Sequence, residues 1–260
     1  MGFLTEFTDG LRRDLERRPL DDSTLLARAI AMPPSRDFVG ALRAHTLAVI
    51  AEVKFASPSA GAIVERDPAA QARTYAEAGA AAISVLTEPI HFGGSLADLR
   101  AVRLAVNVPV LRKDVLVHPS QVIEARAAGA DAVLLIAACL SPGELEALRA
   151  TAADLGLGAL VEAYTDDDLD AAIASGAEVI GVNARDLETL DVDVERALER
   201  IRRIPGDRVA VMESGISTRR QVLAAIEAGA SAILVGESLM RAHDPGAKLR
   251  ELAGEESESA

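Results

Sequence analysis

Short apolar runs recur along the chain, and five of them end in charged or polar side chains. Residues 48–54 carry Glu52 and Lys54; 110–113 end in Lys113; 159–162 end in Glu162; 179–185 carry Asn183 and Arg185; and 209–214 end in Glu213 and Ser214. An unbroken apolar run reads as a strand buried on both faces, as in a parallel sheet covered by helices. A charge in such a place is costly unless it is paired or can be reached by solvent and ligand. Five strands ending alike predict a single polar site at one end of a sheet.

The same pattern counts the strands. Four segments share an Ala/Glu-Ala/Ser-Gly-Ala step from a helical pattern into a β-branched run, with glycines at Gly79, Gly129, Gly176 and Gly229, spaced 50, 47 and 53 residues apart. A βα unit occupies about 30 residues or fewer when roughly 250 residues make eight of them, so each interval holds two units. The pattern predicts strands near 48–54, 81–87, 109–114, 132–138, 158–164, 179–185, 208–214 and 232–238. Helix start signals fall between them: Asp67-Pro68, Ser95 before Asp98, Pro119-Ser120, Ser141-Pro142 with Glu144, Thr165 before three aspartates, and Thr218. Strands and helices alternating at this pace imply right-handed βαβ units. Eight of them close into an α/β fold, a (β/α)8 TIM barrel with an N-terminal helical extension. The expected organisation is one domain over 1–254, with the extension in 1–46 and the barrel in 47–254. Amphipathic segments at 3–17 and 36–44 are read as extra helices lying across one end of the barrel, and no fused second enzyme is expected.

Composition supports this architecture. Half of the residues are apolar, only 3% are aromatic and none is Trp, so the core is built from Ala, Val, Leu and Ile. No apolar stretch reaches the ~18 residues that span a bilayer, and early charges leave no room for a secretory h-region. The single cysteine, Cys139, excludes an internal disulfide framework, suits a cytoplasmic location and reads as a small core residue near a strand end. The net charge of −13 argues against nucleic acid or an anionic membrane as partner. Three of those charges sit in the tail 255–260, which is expected to be disordered. Against this background, cations gathered at strand ends imply a local pocket for a small anionic molecule.

Glu52 and Lys54 lie two apart and share a strand face, while Lys113 and Glu162 end neighbouring-but-one strands and can reach the same cavity. A partly desolvated amine serves as a general acid, and a carboxylate as a base or a cation stabiliser. Asn183 and Arg185 supply a neutral donor and a cationic fork for a carboxylate or phosphate. Gly215 and Gly236 stand at the ends of strands 7 and 8, the frequent phosphate site of this fold. Paired barrel filling is the bland alternative for the ionisable set, and tight turns are the bland alternative for the glycines. There is no Walker A or Gly-x-Gly-x-x-Gly sequence, and the four histidines (45, 91, 118, 243) lack metal-ligand spacing, so neither a nucleotide cofactor nor a metal is expected. Asp166-Asp167-Asp168 reads as a charged helix N-terminus rather than a cation site. The 55–62 loop reads as a flexible cover over the mouth, and His91-Phe92-Gly93-Gly94 as an aromatic face for a ring.

The residues singled out fall in stretches that resemble the indole-3-glycerol phosphate synthase family over about residues 36–242. The resemblance rests on Ile50-Ala-Glu-Val-Lys-Phe-Ala-Ser-Pro-Ser59, Ile83-Ser-Val-Leu-Thr-Glu-Pro89 with Phe92-Gly-Gly-Ser95, Pro109-Val-Leu-Arg-Lys-Asp114, Leu160-Val-Glu162, Gly181-Val-Asn-Ala-Arg-Asp-Leu187 and Glu213-Ser-Gly215. It implies conversion of 1-(2-carboxyphenylamino)-1-deoxyribulose 5-phosphate to indole-3-glycerol phosphate, carbon dioxide and water, with no metal or organic cofactor. It implies Lys113 as general acid in ring closure, Lys54 as partner of substrate anions and acid in dehydration, and Glu162 as cation stabiliser or base. Glu52 and Glu213 would orient these groups, and Asn183, Arg185 and Ser214 would hold substrate. Ser57 and Phe92 would contact it, with backbone amides near Gly215, Gly236 and Glu237 on the phosphate. The chain departs from the family pattern at Phe55 and Ala60, where lysine is common, and at Ala184, where asparagine is usual. The residues leave three alternatives open: another phosphate-binding barrel such as phosphoribosylanthranilate isomerase, a Schiff-base aldolase using Lys113 or Lys54, and a non-catalytic barrel subunit.

Overall fold

A computed structural model describes residues 3–54, 56–57, 61–62, 67–186 and 189–255. Eight parallel strands form a closed barrel: β1 Ala48–Val53, β2 Ala82–Leu86, β3 Val110–Lys113, β4 Ala132–Ile136, β5 Gly158–Ala163, β6 Val179–Asn183, β7 Val209–Glu213 and β8 Ala232–Val235. Each strand pairs with its sequence neighbours, and β1 closes the ring on β8 with Ala48 opposite Ala232 and Ala51 opposite Val235. Because side chains alternate across a strand, every strand feeds two cores. Ala48, Ile50, Leu111, Leu134, Leu160, Val211 and Leu234 fill the interior. Val49, Ala51, Val53, Ile83, Val133, Val161 and Ile180 pack outward against the helices.

The helices are α1 Phe3–Arg17, α2 Asp22–Ala31, α3 Phe38–Arg43, α4 Pro68–Glu77, α5 Leu96–Ala105, α6 Pro119–Ala128, α7 Pro142–Asp154, α8 Asp166–Ala174, α9 Val194–Ile201, α10 Arg219–Ala228, α11 Glu237–Met240 and α12 Pro245–Ala253. Their N-termini follow the sequence signals. Asp67 caps the amide of Ala70, and Ser141, Thr165 and Thr218 form capping boxes with Glu144, Asp168 and Gln221. Asp166–Asp168 accordingly forms the first turn of α8. Gly129 and Gly229 end α6 and α10 with φ of 96° and 108°, the left-handed region open to glycine.

Three elements differ from the sequence reading. The N-terminal extension contains an additional helix, α2, and reaches both ends of the barrel instead of one. Leu4 and Phe7 of α1 lie at the mouth formed by the strand C-termini, where Arg12 donates to the Cys139 carbonyl at 3.0 Å and to Glu144 at 2.9 Å. Phe38 of α3 seals the floor, packing beside Gly158 and Ala132 at the strand starts. Between them α2 lies along α6. Strand β8 ends at Val235, so Glu237 opens the short helix α11 and does not extend the strand. Likewise β6 ends at Asn183, and Arg185 makes an isolated antiparallel bridge to Val192.

Cys139 is buried in a 3-10 turn, Ala137–Cys139, directly after β4. The acidic tail beyond Glu255, together with Phe55 and Ala60, lies outside the described residues. No described helix is long and apolar enough to cross a membrane.

Candidate active site

The inward alternation that fills the barrel with Ile50, Leu111, Leu160 and Val211 places the next inward residues, Glu52, Lys113, Glu162 and Glu213, one layer above them, at the mouth. A cavity opens there. It is lined by Glu52, Lys54, Phe92, Lys113, Glu162, Asn183, Arg185, Glu213, Ser214, Gly215, Gly236 and Glu237. These are all of the sequence-selected residues except Ser57, which is described only as backbone in a two-residue antiparallel ribbon, Ala56–Ser57 with Gly61–Ala62. The 55–62 cover itself otherwise lies outside the described residues. Arg112, next to Lys113, points the opposite way and is held by Glu124 at 2.9 Å and Asp114 at 3.0 Å.

Inside the cavity the charges form two loose pairs. Lys54 Nζ stands 3.4 Å from Glu52 Oε1, and Lys113 Nζ stands 3.6 Å from Glu162 Oε2. Lys54 also lies 6.0 Å from the centre of the Phe92 ring. The third carboxyl, Glu213, is 1% exposed, and no N–H group of the described residues reaches either of its oxygens. It reaches its place across β6 because residue 181 is glycine: a Cβ there would stand 2.0 Å from Glu213 Oε1. Gly236 similarly leaves space for Glu52, whose Oε1 would be 2.5 Å from an added Cβ.

These contacts set the protonation states. Burial disfavours the charged form of Lys113, but Glu162, Glu52 and Glu213 outweigh it and raise its pKa above the ordinary lysine value. Burial raises Glu213 well above the ordinary carboxylate value, the negative charge of Glu162 adds to that, and Lys113 opposes it. The site therefore holds a protonated amine beside a carboxyl that favours its own proton.

The last three strands form the other side of the cavity. Asn183 Oδ1 accepts the backbone N–H of Arg185 at 3.0 Å, and the guanidinium of Arg185 lies 3.3 Å from Glu237 and donates to the Leu190 carbonyl at 3.1 Å. Ser214 and Gly215 take consecutive positive φ values of 62° and 70°. For a serine that conformation is uncommon and is held by its surroundings. It turns the chain sharply out of β7 at the point where Glu213 points inward.

The residue pattern did not single out an apolar wall formed by Val115, Leu134, Ile136 and Leu234, completed from outside by Leu4 and Phe7 of α1. The stripe of α1 was legible as Phe3, Leu4, Phe7, Leu11 and Leu15, but not the surface it would cover. The arrangement can protonate an oxygen, stabilise a cation beside it and hold an anion and an apolar ring at the same time.

A sequence profile described as Indole-3-glycerol phosphate synthase matches residues 5–252. The chain belongs to the indole-3-glycerol phosphate synthase family. Among its relatives, the indole-3-glycerol phosphate synthase of Micrococcus luteus is 48% identical over 258 residues, covering 96% of each chain. That of a Nocardioides species is 48% identical over 260 residues, covering 99% of this chain and all of the other. Among solved structures, a 3-hexulose-6-phosphate synthase superposes with a TM-score of 0.62 at 20% identity, over 82% of this chain and 100% of the other. At that identity the likeness concerns the barrel alone. The family thus extends beyond the 36–242 stretch, through α1 and into α12.

Proposed function

We propose that this chain carries out the reaction of its family, closing, decarboxylating and dehydrating 1-(2-carboxyphenylamino)-1-deoxyribulose 5-phosphate to indole-3-glycerol phosphate in tryptophan biosynthesis. The substrate is a small phosphorylated anion, and the cavity suits it in parts. The aromatic ring lies against Phe92 and the wall of Val115, Leu134, Ile136 and Leu234. Asn183, Arg185 and Ser214 hold the polar chain, and the phosphate meets backbone amides near Gly215, Gly236 and Glu237. Ser57 contacts the substrate from the loop after β1. Residues 1–254 act as one domain, the first 46 extending the barrel.

The observation that carries this reading is the pair of facing Lys–Glu contacts at the mouth, with Glu213 beside them. Lys113, kept charged by its anionic neighbours, delivers a proton to the substrate carbonyl oxygen as the ring carbon attacks the carbonyl carbon. Glu162, freed from its partner as Lys113 engages substrate, faces the positive charge that develops on the ring and nitrogen. Loss of carbon dioxide leaves its electron pair in the ring. The hydroxyl then leaves as water by taking a proton from a second acid, Lys54, oriented by Glu52, while the ring carbon beside the nitrogen gives up a proton to Glu162 and the double bond forms. Glu213 fixes Glu162 and Lys113 relative to one another. The charged state of Lys113 argues against a Schiff-base mechanism, which needs a neutral amine.

Direct turnover of the carboxyphenylamino-deoxyribulose phosphate, followed by indole fluorescence, tests the assignment, with Lys113→Ala as control. Product from the wild type and a loss of roughly 10²–10⁴-fold in the variant are expected for removal of a general acid. A folded wild type that makes no indole product would sink the assignment.

A further inference from the structure

Glu88 lies two residues beyond the end of β2 and is 4% exposed. Its carboxylate accepts three consecutive backbone N–H groups: Ile90 at 2.9 Å on Oε1, and His91 and Phe92 at 2.6 and 3.1 Å on Oε2. Its own carbonyl accepts the N–H of Gly94 at 2.9 Å. The segment from 88 to 94 is therefore wound around a single side chain. Gly94 fixes the far end, since a Cβ there would stand 2.1 Å from the Leu86 carbonyl oxygen.

What this loop carries matters for the site. The Phe92 ring lines the cavity and faces Lys54 at 6.0 Å. The His91 ring, 3.5 Å from Glu88 Oε1, meets the edge of Phe7 of α1 at 5.2 Å between centroids. One carboxylate thus sets the loop that meets both the substrate cavity and the N-terminal helix. An ionised acceptor makes stronger hydrogen bonds than a neutral one. Glutamine cannot replace it, because its amide NH2 would face an N–H donor where Glu88 has its second oxygen.

We propose that Glu88 is a positioning residue for the reaction, holding the Phe92 ring at the height where the substrate's aromatic ring stacks and beside Lys54. This rests on the reading of the cavity as the indole-forming site. It differs from simple loop bracing in one respect: the contribution of Glu88 passes through Phe92.

The test uses the full chain and a double-mutant cycle of Glu88→Gln and Phe92→Ala, with kcat and KM measured for the carboxyphenylamino-deoxyribulose phosphate. Hydrogen exchange of the 90–92 amides is followed in parallel. Glu88→Gln should speed exchange at those three amides and lower kcat/KM by about 10- to 100-fold, a range set by the sensitivity of reacting geometry to small displacements. In the Phe92→Ala background the same change should cost less than about twofold, the signature of coupled residues. Should Glu88→Gln not fold, Glu88→Asp, which keeps both oxygens but withdraws them, takes its place in the cycle. Turnover in which the two substitutions simply multiply, or unchanged exchange at 90–92, would overturn the proposal alone. Absence of wild-type turnover would remove the reaction reading and the proposal with it.

Discussion

The two ends of this barrel both bury charge, and they treat it in opposite ways. At the floor, Asp131 is fully buried and each of its oxygens is held by a backbone amide: it accepts the N–H groups of Arg36 at 2.8 Å and Val110 at 2.9 Å, and Arg103 Nε lies 3.3 Å away with no hydrogen bond of its own among the described residues. Arg36 in turn donates to the carbonyls of Val108 and Arg103. At the mouth, the Lys–Glu pairs are held at 3.4 and 3.6 Å, and no N–H group of the described residues donates to either oxygen of Glu213 or to Oε2 of Glu162. Buried polar groups are ordinarily satisfied. A carboxylate tied down by backbone amides serves the fold, while carboxyl oxygens left without donors under an open cavity are placed to meet a partner.

Exchanging the roles of the two ends is the strongest challenge to that contrast. Lys113→Ala should abolish most turnover and cost less stability than the floor change, because Glu162 and Glu213 lose a cation held at 3.6 Å from Glu162 but sit beside an open cavity where they can take up protons or solvent. Asp131→Ala should do the reverse, costing about 3–5 kcal/mol as the arginines and two amides lose their shared acceptor. Chemical denaturation alongside kinetics of the folded fraction reads both, and equal stability losses at the two ends would remove the distinction.

A smaller effect sharpens it. In Glu162→Gln the burial of Lys113 is opposed by less negative charge, so its pKa should fall, and acylation of Lys113 followed by mass spectrometry should begin at lower pH than in the wild type. No change in that profile would mean that Glu162 does not set the charge of Lys113.

The smallest effect concerns Glu213. Its folded pKa is raised, so the folded state binds its proton more tightly than the unfolded chain does. Its contribution to stability is complete below the ordinary carboxylate pKa and is lost as pH rises through the raised value. Glu213→Gln should flatten that decline, and an identical slope of stability against pH in both proteins would contradict the assignment.

How much of this was legible in the sequence depended on distance along the chain. Strand ends were readable because an apolar run interrupted by Glu or Lys is a local signal, and it marked Glu52, Lys113, Glu162 and Glu213, which line the cavity. The N-terminal helix α2 was not readable: Ala29 is buried, whereas Leu26 and Ile30 are exposed, so its apolar stripe is faint. The four-residue α11 is too short to show a helical period. The space that Gly181 leaves for Glu213, and the winding of loop 88–94 around Glu88, depend on inter-strand register and on backbone amides. Neither leaves a periodic trace.

Closure of β1 onto β8 has a consequence for a chain made from its N-terminus. Glu52 and Lys54 emerge early, on a strand that can at first find only β2 as neighbour. Its other edge keeps its N–H and C=O groups open until Ala232–Val235 has followed. Only then do Gly236 and Glu237 exist to border the cavity. An open strand edge invites pairing with other chains. For most of its synthesis, therefore, the nascent chain carries Glu52 and Lys54 on a strand with one open edge, and β8 closes that edge and the rim of the cavity together.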